Sequence, residues 1–153
     1  MRRLLPLLLL VTACGPVPLQ PHIYVLISPE FRPTQRDAVL QGLTAWHLAV
    51  PEISFEETSY LRDNTVTFRP SASRCDGAKA AGEYREDGDH RSICLYTGPS
   101  PCSIRRVTIH EVGHALRLPH FLPPSVMTSS CTDGEDNPTL GDIIAVREAW
   151  GFR

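Results

Sequence analysis

Lysine is almost missing from this chain. Lys79 stands alone beside fourteen arginines, and no long basic run exists, so nucleic acid is not a favoured partner. No apolar stretch approaches the roughly 20 residues that a membrane-spanning helix needs. No repeat or long low-complexity segment is visible, which excludes solenoids and propellers. The five cysteines show no C-x-x-C spacing, which argues against a structural zinc site built from them. What remains is 153 residues, 42% hydrophobic and 21% charged, which suits one globular domain with a real though not deep core.

The first residues read as a targeting segment. Arg2 and Arg3 supply the positive start, Leu4 to Val11 are apolar apart from Pro6, and Thr12 and Ala13 are small. Removing residues 1–13 leaves 13 basic against 17 acidic residues, a net of −4. "VTAC", Val11 to Cys14, resembles the lipobox of bacterial lipoproteins, which implies cleavage before Cys14 and lipid on its thiol. Residues 14–21 would then be the lipidated cysteine and a proline-rich tether, and residues 22–153 a single folded domain. The resemblance implies an exported, membrane-anchored protein of the cell envelope. With Cys14 so assigned, Cys75, Cys94, Cys102 and Cys131 can form two disulfides in an oxidising compartment. Three pairings can be drawn. Cys75 with Cys94 and Cys102 with Cys131 are favoured, because each closes a local loop.

Along the chain, "HIYVLI" (22–27) reads as a strand covered on both faces, since its apolar run is nearly continuous. Thr34 and Asp37 look like a capping box opening a helix over about 35–49, with Val39, Leu43, Trp46 and Val50 on one face and Pro51 as its stop. Residues 53–58 and 65–69 read as strands, so that strand, helix and strand form a right-handed βαβ unit. Residues 70–90 read as loop, and 91–96 as a further strand. Thr139 and Asp142 form a second capping box, opening a helix over roughly 140–149 that Gly151 stops.

The chemistry concentrates in "TIHEVGHALRLPHFLPPSVMTSS", residues 108–130. Ser103 can cap a helix running from Ile104 to about Leu116. On it, His110 and His114 lie one turn apart on one face and can grip a single ion. Glu111 is placed to reach a water on that ion. Ile109, Val112 and Leu116 form a separate apolar stripe that docks the helix. Gly113 should permit close packing. A continuous helix would carry His120 about 15 Å beyond His110. Pro119 disfavours helix at Leu118, so the chain should reverse there and return His120 to the ion. Three neutral nitrogen ligands and one open position are the arrangement of a catalytic zinc.

"HEVGHALRLPH" resembles the metzincin signature HExxHxxGxxH at all four functional residues, and "SVM", Ser125 to Met127, is similar to that family's Met-turn. "LQGLTAWHLAVPEISFEE" and "DIIAVREAWG" look like matrixin elements, so the likeness spans about 130 residues from His22 onward. It implies an α+β fold of the zincin/metzincin type, with a twisted mixed sheet of four or five strands and three helices. It further implies one catalytic Zn²⁺ held by His110, His114 and His120, with Glu111 as general base and Met127 as a structural floor. The implied activity is that of a metalloendopeptidase acting on an extended peptide, and the implied state is a monomer. The zinc would acidify its water, and Glu111 would take the proton and pass it to the leaving amine. The peptide would pair with an exposed edge strand, either 65–69 or 91–96.

The sequence also departs from that family. Arg117 stands where the signature has glycine, in a conformation that costs another residue roughly 1 kcal/mol. Ser129 stands where astacins have a tyrosine ligand, so no fifth ligand is expected. Asp87, Asp89 and His90 read as a solvated turn in preference to a calcium site. No inhibitory propeptide fits between Cys14 and His22. Two other functions compete: a non-catalytic zinc-binding surface lipoprotein, and a zinc peptidase using Glu135, twenty-one residues after His114, in place of His120.

Overall fold

The structure is a computed structural model that describes residues 21–75 and 80–152. The signal segment and Cys14 lie outside the described residues. Among the described residues the chain builds five strands, β1 (His22–Ile27), β2 (Ser54–Glu57), β3 (Thr65–Ser71), β4 (Gly82–Asp87) and β5 (His90–Tyr96), and three helices, α1 (Pro33–Ala49), α2 (Ile104–Ala115) and α3 (Leu140–Trp150). The strand order is β2-β1-β3-β5-β4. β1 runs parallel to β2 and β3, β3 parallel to β5, and β4 antiparallel to β5. The sheet is therefore mixed, as expected.

The covering of the sheet differs from the expected one. β1 alternates: Ile23, Val25 and Ile27 are buried, while His22, Tyr24 and Leu26 are only half covered. One face packs on the helices and the other is shielded only in part, by side chains such as Arg62, whose guanidinium lies 4.6 Å from the Tyr24 ring. Val39, Leu43, Trp46 and Val50 of α1 and its C-cap are buried against that apolar face. Each such side chain contributes about 1.5–3 kcal/mol when fully covered.

α1 begins two residues earlier than the sequence suggested. Pro33 takes the first helical position, where its missing N–H is no loss. The Gln35 side chain accepts from the Arg32 N–H at 2.9 Å, and Thr34 lies inside the helix instead of capping it. Gly42 lets α1 approach α2: a Cβ there would stand 2.7 Å from Thr108 Cγ2. At α3 the anticipated capping box holds, with Thr139 Oγ1 accepting from the Asp142 N–H and Gly151 closing the helix at φ 69°.

β4 is the main omission of the sequence reading, which made 70–90 a loop. "GEYRED" has no apolar alternation, and its burial grades from half-covered to exposed. It is a strand because β5 pairs with it through the two-residue turn Gly88–Asp89, with Gly88 at φ 58°. The Gly-Asp pair of that turn, flanked by the two strands, is a hairpin signal available in the sequence. The consequence is functional. Both strands proposed as the free edge, 65–69 and 91–96, are interior, and the edge on the site's side is β4.

Candidate metal centre

Ser103 caps α2 by accepting from the Arg106 N–H, which starts the helix where the sequence placed it. Ile109, Val112 and Leu116 are fully or almost fully buried, so one face is committed to the core. The Trp46 indole N–H reaches the Ile109 carbonyl at 2.8 Å and fixes the helix against α1. His110 and His114 then project from the neighbouring face.

The helix ends in a Schellman arrangement. The Arg117 N–H donates to the His114 carbonyl and the Leu118 N–H to the Gly113 carbonyl, both at 2.9 Å. This motif needs a left-handed residue, and Arg117 supplies it at φ 73°. The arginine thus takes the backbone conformation that the glycine of the signature would take. Its guanidinium lies 5.0 Å from the Trp150 ring centroid, a contact that offsets some of the strain. The reversal brings His120 back to the helix.

Three imidazoles converge. His120 Nε2 lies 3.2 Å from His110 Nε2 and 3.2 Å from His114 Nε2. His110 Nδ1 is 2.9 Å from the Val126 carbonyl and His114 Nδ1 is 2.8 Å from the Leu118 carbonyl. A carbonyl only accepts, so each Nδ1 carries the proton and each Nε2 presents a bare lone pair. Two lone pairs then face a third nitrogen that has at most one proton to share between them. A cation resolves this. Three donors at about 2.0–2.1 Å from a tetrahedral zinc sit about 3.4 Å apart, close to the observed spacing. Among the described residues these three histidines are the group that could hold a metal, and Glu135 is not part of it. Instead the Glu135 N–H donates to the Ser125 carbonyl. Asp87, Asp89 and His90 form the β4–β5 turn and gather no such group.

Burial pushes His110 down to about 4, with the neighbouring imidazoles acting in the same direction and the Val126 carbonyl opposing. Burial lowers His114 too, against the Leu118 carbonyl. The pair is neutral at ordinary pH, the form that ligates. Burial pushes the Glu111 carboxyl up to about 8. The Tyr84 backbone N–H opposes this by donating to it, and the charge of Glu83 adds to it. Glu111 and the three histidines line one cavity of about 590 Å³. Gly82 opens β4 for that carboxylate: a Cβ there would stand 2.7 Å from Glu111 Oε1.

Beneath the helix, Met127 is wholly buried, and a Cβ on Gly113 would come within 2.2 Å of its sulfur. Gly113 thus permits close packing, as its place in the motif suggested. The Met127 segment is anchored by Asp142 of α3. Asp142 accepts from Ser125 Oγ at 2.5 Å, from the Val126 N–H at 3.2 Å and from the Thr139 N–H at 2.8 Å. Disulfides join Cys75 to Cys94 and Cys102 to Cys131, with Cα separations of 6.1 and 5.9 Å. The second encloses the three histidines, Glu111 and Met127 in one covalent loop. Sequence reasoning missed Gly82, Tyr84 and the anchoring role of Asp142. Only the last had a visible signal, its cap position.

No protein-family model matches this chain, and no curated protein does. Solved structures do match. One is high choriolytic enzyme 1, a hatching-enzyme zinc protease of the medaka fish Oryzias latipes, with a TM-score of 0.64 over 86% of this chain and 90% of that one. The fold is metzincin-like. At 12% identity the likeness covers the fold alone. In this metzincin-like frame the three histidines stand beside a buried carboxylate and a free sheet edge, and that local geometry is what any reading of function must explain.

Proposed function

We propose that the protein is a zinc-dependent endopeptidase. The observation that carries this reading is the convergence of three Nε2 atoms beside a buried carboxylate that is not needed to hold the ion. His110, His114 and His120 would hold one zinc, and Met127 would be the packed floor beneath them. When bound, the zinc would supply Lewis acidity to a water and to the substrate carbonyl. Glu111 does the proton work. Burial alone would keep it protonated near neutrality, and a nearby dication opposes that, so the two influences set its affinity for a proton in the working range. It would accept the proton from the attacking water and return it to the leaving amine. β4 supplies the binding edge. An extended peptide can add to it by main-chain hydrogen bonds, which position the scissile carbonyl without strong sequence demand.

The test is cleavage of an unstructured protein by the zinc-loaded chain and by Glu111→Gln. We expect Glu111→Gln to keep its zinc and lose about 10²- to 10⁴-fold in rate, the usual worth of a general base. Zinc bound in both with cleavage by neither would replace this reading with a non-catalytic zinc-binding surface protein. We further propose that the protein is exported and anchored by lipid on Cys14. Two disulfides suit the oxidising compartment that this implies. Incorporation of labelled fatty acid that vanishes in Cys14→Ala would support the anchor, and label retained by that variant would exclude it.

A further inference from the structure

Arginines line the cleft on both sides of the histidines. Arg106 and Arg74 lie in the wall of the cavity that holds the site. Arg106 sits one helical turn before His110 and so shares its face. Its guanidinium is under-used. Nη1 meets Asp136 Oδ1 only at 3.5 Å, on a largely exposed carboxylate, and the enclosed Nη2 has no hydrogen-bond partner among the described residues. Gly134 leaves the space for it, since a Cβ there would come within 3.2 Å of Nη2. On the other side, a second cavity of about 570 Å³ borders His114 and is lined by Arg91, Arg117 and Trp150. Arg117 rests on Trp150, and Arg91 donates to the Asn64 amide oxygen. Neither has a carboxylate within ion-pair distance among the described residues.

Carboxylates also occur in these walls. Glu83 pairs with Arg85 at 2.7 Å, Glu86 keeps its charge while accepting from the Tyr84 hydroxyl at 3.1 Å, and Glu111 is buried under β4, so none of the three pairs with Arg106 or Arg117. The whole chain carries a formal −2, so a cleft lined by under-paired arginines runs against the overall sign. A guanidinium is a planar fork that matches a carboxylate, and complementary charge selects partners more than it adds affinity.

We propose that the cleft selects acidic peptides. An Asp or Glu side chain beside the scissile bond lies against Arg106, and a second acid, across the histidines, lies against Arg117. This assignment rests on the endopeptidase reading for its substrate but not for its binding chemistry, and the two can fail separately.

The experiment uses the zinc-loaded full chain and a peptide series carrying Glu, Leu or Lys at each position flanking the scissile bond. Peptide hydroxamates with the same side chains, followed by calorimetry, report binding without turnover. Glu should exceed Leu by about 10-fold at its favoured positions, as one charge-assisted hydrogen bond implies, and Lys should be worst. Arg106→Leu should erase the preference on one side of the scissile bond only. Arg117→Gly, which suits the positive φ, should erase it on the other. Arg106→Gln serves if Arg106→Leu does not fold. A wild-type preference for Leu or Lys, or an acidic preference that survives both substitutions, overturns the proposal and leaves the peptidase standing. Arginine-dependent binding of acidic hydroxamates with no peptide cut upholds the cleft's chemistry and removes the endopeptidase. Equal binding of all three hydroxamates overturns the proposal whichever peptides are cleaved.

Discussion

The two halves of the metal centre are made in different ways. His110 and His114 come from α2, where helical periodicity sets their spacing and a buried apolar stripe sets their direction. His120 and Met127 come from the segment that follows, where a left-handed arginine and a carboxylate on another helix do the placing. The spacing of the first half is local, although the Val126 and Leu118 carbonyls beyond the helix orient its two rings. The second depends on contacts from distant parts of the chain. A metal site can thus be half written into one helix and half assembled by tertiary structure.

Breaking the helical half should have the largest effect. His110→Ala or His114→Ala should abolish stoichiometric zinc, read by metal analysis of the purified protein. His120→Ala should bind zinc more weakly than wild type yet better than either, since two ligands on one preformed face remain. Equal loss in all three would show that the halves are not separable.

Asp142→Ala strikes the assembled half without touching a ligand. It leaves buried donors of Ser125 and Val126 unpaired, each worth about 1–3 kcal/mol, so a loss on the order of 3 kcal/mol is expected by chemical denaturation. Zinc affinity should fall as well, because Val126 orients His110. Unchanged affinity at reduced stability would confine Asp142 to capping α3.

Removing the metal exposes the titrations. Glu111 is raised from its usual 4.5 to about 8, so its stabilising contribution is full below 4.5 and is lost as pH rises through 8. His110 is depressed from 6.5 to about 4, so its contribution is full above 6.5 and is lost as pH falls through 4. The two oppose each other below 6.5. Zinc-free protein should therefore lose roughly 1 kcal/mol per pH unit between about 6.5 and 8, and Glu111→Gln should flatten that limb. A flat limb in the wild type would refute the burial of this carboxylate.

The smallest effect is expected at the junction. Arg117→Gly relieves the left-handed strain but forfeits the Trp150 contact, so stability should change by no more than about 1 kcal/mol. A larger loss would mean that the stacking, and not the backbone, holds the reversal.

The sequence disclosed the helical half because spacing alone determines it: histidines at positions i and i+4, an apolar stripe beside them, a capping serine before them. It also marked the reversal, through Pro119 and the arginine in a glycine's place. β4 escaped because its residues bury little and its identity as a strand comes from β5. Its central role followed from that: the edge residues Gly82 and Tyr84 cannot be recognised until the edge is known. The capping of α1 was misassigned for a related reason. Thr34 was the better capping residue, but Pro33 at the first helical position shifted the start and left Gln35 to serve Arg32.

The cross-link from Cys102 to Cys131 sets the three histidines and Glu111 in a macrocycle inside a larger chain. Even when the surrounding structure melts, residues 102–131 cannot extend fully, and that closure takes about 3.5 kcal/mol of chain entropy from the denatured state. The gain falls on the fold and not on the ligands: His110, His114 and His120 already lie four and six residues apart along the chain, so the ring adds little to their mutual concentration.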